Sequence, residues 1–152
     1  MKDGTRYIIF SHLVKNVPSG SSERCGTYAI GEELQAMLIK NYRAEVEQIF
    51  MNSFGKYLSK GGYNDAEGNF VWSRYVKAQN IEEAVEHATY FKTVEDALKW
   101  AAESLYMSEM QEGIDWLVSE GYIREHKEPA RFGYRHYLSV TQKGWKIAHL
   151  YK

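Results

Sequence analysis

The chain has 152 residues, of which 44% are apolar and 26% charged. That is long enough to bury a core without disulfides or metals, and too apolar for a disordered chain. One cysteine, Cys25, excludes an internal disulfide, and the longest N-terminal apolar run, Tyr7–Phe10, is too short for a signal segment or a membrane span, so a cytoplasmic protein without a membrane partner is expected.

Charge is unevenly placed. Residues 1–80 hold ten Lys/Arg against eight Asp/Glu, residues 81–120 hold two against ten, and residues 121–152 hold seven against two. Local sign decides which surfaces attract which partners, so the acidic middle and the basic end are the main compositional signal. Twelve Tyr and four Trp suit either a Tyr-rich core and rim or an interface.

In chain order, residues 6–14 are rich in β-branched and aromatic side chains and read as a strand, and residues 16–26 read as loop. Gly31 opens a long helix with Glu32 and Glu33 in its first turn. Its apolar face runs through Leu34, Leu38, Tyr42, Val46, Ile49, Phe50, Phe54 and Tyr57 to a stop at Gly61-Gly62. Tyr63–Asn69 is a turn-rich connection, and Phe70–Lys77 alternates as a second strand through Phe70, Trp72, Arg74 and Val76. Asn80-Ile-Glu-Glu83 has the form of a capping box and starts a short helix at Ile81, with Ala88–Phe91 as an alternative third strand.

Thr93-Val-Glu-Asp96 and Ser108-Glu-Met-Gln111 have the same capping logic and predict two further helices. The first shows Val94, Ala97, Leu98, Ala101 and Leu105 on one face. The second shows Met110, Ile114, Leu117 and Val118 and stops at Gly121. Residues 122–127 and 134–140 read as two strands around a Pro129/Gly133 turn, and Thr141 caps a final helix. The expected class is α+β. A strand, long-helix, strand unit (1–80) precedes a helix–helix–hairpin–helix unit (81–152), and the two parts form one body.

The phrase Leu117, Gly121, Tyr122, Ile123, followed by Leu138, Thr141 and Gly144, resembles the winged helix-turn-helix superfamily over about the last 60 residues. The resemblance implies DNA binding by the second helix of the motif. Here that helix, residues 109–120, carries Glu109, Glu112, Asp115 and Glu120 and no Lys or Arg, which opposes entry into a polyanionic groove. The hairpin and its neighbours instead offer Arg124, Lys127, Arg131, Phe132, Tyr134, Arg135, His136, Lys143 and Lys146, a basic aromatic set fit for phosphates, bases or an acidic protein surface. The alternative is a solvated wing, or one docked on the acidic segment of its own or a neighbouring copy, as in a homodimer.

Other motifs are weaker. Cys25 has no base or orienting group at a recognisable spacing. His126 and His136 stand where they could face each other across the hairpin near Glu125, but further zinc ligands at suitable spacing are missing. Ser19-Gly-Ser-Ser22 has the composition of a phosphate cradle without the Gly-Lys-Ser/Thr that should follow, and Asn64–Gly68 fails the calcium-loop spacing. No cofactor is expected. The expected role is a non-enzymatic regulator that binds a macromolecule, with nucleic acid met through the basic wing. The rival is a protein-directed inhibitor or adaptor of the phage or mobile-element type, for example against a host defence or transcription complex. An enzyme using the N-terminal half is a third reading.

Overall fold

The computed structural model describes residues 1–59, 63–71 and 74–151. The protein is α+β. It divides not at residue 80 but into unit 1, residues 1–40 with 104–152, and unit 2, residues 41–103.

Unit 1 begins with α1 (Thr5–Asn16), where a strand was expected. The β-branched and aromatic composition misleads here. Ile9, Phe10, Leu13, Val14 and Val17 recur at helical spacing and are all buried, a pattern of period 3.6 rather than 2. The loop that follows ends in β1 (Cys25–Gly26), and α2 (Tyr28–Asn41) buries Ile30, Leu34 and Leu38. The expected single helix from Gly31 is two helices. The chain leaves helical geometry at Tyr42 (φ −129°, ψ 35°) and resumes in α3 (Arg43–Phe54). The expected stop at Gly61-Gly62, and Trp72 of the expected second strand, lie outside the described residues.

The C-terminal part of unit 1 contains the end of α5 (Val94–Ser119), then β6 (Ile123–Pro129), β7 (Tyr134–Val140), α6 (Gln142–Ile147) and a 3-10 turn at Ala148–Tyr151. Helix α5 is continuous where two helices were expected, and its residues from Ser104 onward belong to unit 1. Its end matches the glycine stop. Gly121 has φ +80°, Gly121 N–H donates to Val118 O and Tyr122 N–H to Leu117 O. β6 and β7 pair antiparallel without a bulge from Ile123↔Val140 to Pro129↔Tyr134, and β1 pairs with the outer side of β7, giving the order β1-β7-β6.

One face of this sheet, through Ile123, Leu138 and Val140, joins Ile9, Phe10, Leu13, Ile30, Leu34, Ile114 and Leu117 in a single core. Burial of each such side chain contributes about 1.5–3 kcal/mol. Close approach of α1 to α5 needs Gly113, where a Cβ would meet Ile9 Cδ1 at 2.5 Å.

Unit 2 contains α3, the strand pair β2 (Lys56–Leu58) and β5 (Tyr75–Lys77), the strand pair β3 (Tyr63–Asn64) and β4 (Phe70–Val71), α4 (Ile81–His87) and the start of α5. The expected strand over 70–77 is therefore β4 and β5, and Ala88–Phe91 forms no strand. The capping boxes at Asn80 and Thr93 form as expected: Asn80 Oδ1 accepts from Glu83 N–H at 2.9 Å and Thr93 Oγ1 from Asp96 N–H at 3.1 Å. Phe50, Phe54, Phe91 and Trp100 pack mostly edge-to-face at 5.1–6.1 Å between ring centroids. Tyr57 stacks on His87 and donates its hydroxyl proton to Glu83, which raises the tyrosine's pKa and lowers the glutamate's. No helix among the described residues is long and apolar enough to cross a membrane.

Candidate functional site

The β6–β7 ribbon carries most of the basic residues singled out in the sequence, and its register sorts them. Side chains alternate between the two faces of a strand, and directly paired residues share a face. The core-side face continues past Ile123, Leu138 and Val140 to Glu125, Lys127, His136 and Tyr134. The outer face holds Arg124, His126, Glu128, Arg135, Tyr137 and Ser139. His126 and His136 are thus on opposite faces, and the pairing that would begin a zinc site does not exist. Phe132 (88% exposed) and Tyr134 (64%) stand out at the tip, with the Arg131 guanidinium 5.6 Å from the Phe132 ring centroid.

The ribbon's own carboxylates are occupied. Glu128 pairs with Arg24, which β1 brings alongside, and Glu125 lies 3.2 Å from His136 Nδ1. Arg124, Lys127, Arg131 and Arg135 make no ion pair among the described residues, and the contact of Glu125 with His136 offsets charge only when the imidazole is protonated. Lys143 and Lys146 are not on the ribbon. They lie on α6, where Lys143 Nζ donates to Glu120 O at 2.6 Å and sits 5.0 Å from the Tyr122 ring centroid.

The acidic segment 109–120 exposes fewer free carboxylates than it contains. Of its four carboxylates, Glu109 turns inward. It is 7% exposed and accepts from Thr5 Oγ1 at 2.8 Å and from the Lys2 backbone N–H at 2.7 Å. Glu112 lies 3.1 Å from the Met1 amino group. Asp115 remains on the surface, accepting from Gln111 Nε2, and Glu120 is exposed past the helix end. The segment is less repulsive to an anion than its composition suggests.

A groove of about 890 Å³ opens where the outer face of the sheet meets the loop before β1 and the start of α6. Of the expected residues it gathers only Arg124 and Lys143. Its other two basic members are Arg24, which the sequence does not single out, and His126, which it offers only as a metal ligand opposite His136. No sequence signal marks Arg24, because the β1–β7 pairing joins positions more than a hundred residues apart. His126 shares a hydrogen bond of 2.8 Å with Ser139 Oγ, and burial followed by the charges of Arg24 and Arg124 lowers its pKa. Cys25 is a poor nucleophile: burial, then the charge of Glu23, pushes its thiol up. No protein-family model matches the chain, and neither a curated protein nor a solved structure is significantly similar to it.

Proposed function

We propose that unit 1 is a winged-helix-type module of a non-enzymatic regulator that contacts nucleic acid through the β6–β7 ribbon. The observation that carries this reading is the set Lys127, Arg131 and Arg135, none of them in an ion pair among the described residues, on a ribbon with exposed aromatic side chains at its tip. Phosphate contacts by such cations supply most of the affinity for duplex DNA, and exposed aromatics can stack on bases.

The order of elements supports the same reading. Unit 1 runs helix, short strand, helix, helix, two-stranded ribbon, with β1 paired to the ribbon's return strand. A three-stranded sheet laid against three helices in that order is what a wing on a helix-turn-helix body would require. The body is assembled from α1, α2 and the end of α5, with residues 41–103 inserted between its second and third helices. On this reading the helix-turn-helix is made by α2 and the end of α5, not by two helices over 93–120, which are the single helix α5.

Binding to a DNA duplex, followed by fluorescence anisotropy over a salt series, tests the proposal. Each phosphate contact contributes about 0.9 to the slope of log K against log salt, so Arg131→Glu with Arg135→Glu should flatten the slope by about 2 and weaken binding. Unchanged affinity and slope would overturn it. A second reading, a protein partner, draws on the 88% exposure of Phe132 beside Arg131, a pairing typical of interface anchors. It predicts a stoichiometric partner retained after nuclease treatment and lost with Phe132→Ala.

A further inference from the structure

We propose that the groove at the base of the ribbon is a binding site for a phosphate group. This site is separate from the ribbon tip and stands whether or not the tip meets nucleic acid. Arg24, Arg124 and Lys143 bring three permanent positive charges to its lining, His126 a titratable fourth, and no Asp or Glu lines it. Its volume of about 890 Å³ falls in the range of small-ligand sites rather than of a single water.

The lining is also built for hydrogen bonding. Ser21 and Ser22, from the serine-glycine loop that has the composition of a phosphate cradle but lacks its lysine, line it, while the Ser139 and Thr141 hydroxyls beside them are held by His126 and by the α6 cap. The lysine that the local motif lacks is supplied from α6 by Lys143, whose Nζ donates to the neutral carbonyl of Glu120 and lies over the Tyr122 ring, with no carboxylate paired to it among the described residues. The loop is held in place: Trp145 Nε1 donates to Ser21 O at 2.7 Å, and Ser21 N–H closes a turn on Pro18 O. Arg24 is positioned by Glu128, which does not itself line the groove. A guanidinium fixed this way suits contact with phosphate oxygens.

His126 reports on the site. The charges facing it are Arg24, Arg124 and Glu128, and its hydrogen-bond partner is Ser139. Burial, then the charges of Arg24 and Arg124, favour the neutral imidazole over the opposing charge of Glu128; a phosphate beside the two guanidiniums would add negative charge and favour the imidazolium.

The test uses the full chain with labelled histidines. The titration midpoint of His126 is followed by NMR in rising inorganic phosphate and in sodium chloride of matched ionic strength. Phosphate should raise the midpoint saturably and chloride should not. Arg124→Gln and Lys143→Gln should each weaken the phosphate response about tenfold, the loss of one charge-assisted contact. Lys15→Gln, an exposed lysine of α1 outside the groove, should leave it unchanged. A second arm adds a short DNA duplex. Displacement of phosphate by the duplex identifies the diester backbone as the source, and phosphate retained beside bound duplex identifies a small phosphorylated ligand. A His126 midpoint indifferent to phosphate, an equal response to chloride, or an equal loss in Lys15→Gln overturns the proposal. Persisting β6–β7 amide signals show that each variant is folded.

Discussion

Replacement of Glu109 by leucine separates a structural carboxylate from a repulsive one. In the native protein one carboxylate oxygen accepts two hydrogen bonds, from Thr5 Oγ1 and from the Lys2 N–H, and the Thr5 side chain is fully buried. Leucine fills the space but leaves the Thr5 hydroxyl without an acceptor, at about 1–3 kcal/mol, and forfeits a hydrogen bond to a charged group of about 1.5–3 kcal/mol. Release from desolvating the carboxylate offsets part of this, so the net loss should be about 2 kcal/mol. For a chain of this size that lowers Tm by roughly 4–8 °C. Glu109→Gln keeps an acceptor in place and should lose less. Because the charge points inward, DNA affinity per folded molecule should not rise in either variant. In Asp115→Asn, where the carboxylate is exposed, affinity should rise while Tm stays within the range of neutral surface changes. Calorimetry and anisotropy on the three variants check this. A Glu109→Leu protein with native Tm and tighter DNA binding would refute the reasoning.

Other substitutions probe the same construction. An alanine Cβ at Gly144 would overlap the Tyr122 carbonyl oxygen and sit 2.8 Å from Val140 Cγ1, so Gly144→Ala should cost about 1–3 kcal/mol despite better helix propensity, measurable by denaturant melting. Asn80→Ala removes the cap of α4 and should cost about 0.5–2 kcal/mol, read from hydrogen exchange in α4. His126 has a lowered pKa in the fold, so the unfolded chain binds the extra proton first. Its contribution to stability is full above about pH 6.5 and is lost as pH falls through the folded value. Wild type should therefore lose Tm on acidification through this range more steeply than His126→Gln, and Arg24→Gln should reduce the difference.

The elements read correctly from the sequence are those whose signals are local. Asn80, Thr93 and Thr141 accept from the N–H three residues on, Gly121 takes a positive φ, and the ribbon turns between Pro129 and Gly133. Each depends on a handful of neighbouring residues whose hydrogen-bond geometry any context would reward. Arg6–Val14 has strand composition, yet its buried residues repeat at helical spacing, and Ile9 among them lies close against Gly113 of α5. Ser108 begins a sequence with the form of a cap but lies inside a helix, and the glutamate beside it is drawn inward by Thr5.

The candidate site divides along the same line. Composition alone located the positive charge at residues 124–146, because charge is a property of side chains wherever they fall. Which of those charges act together is a matter of strand register, and register placed Arg124 and His126 on one face and Lys127 and His136 on the other. Arg24 joined them only through the pairing of β1 with β7, and unit 1 as a whole closes over an insertion of 63 residues. Contacts at that separation are selected by the burial of a shared core, which no short window of sequence contains.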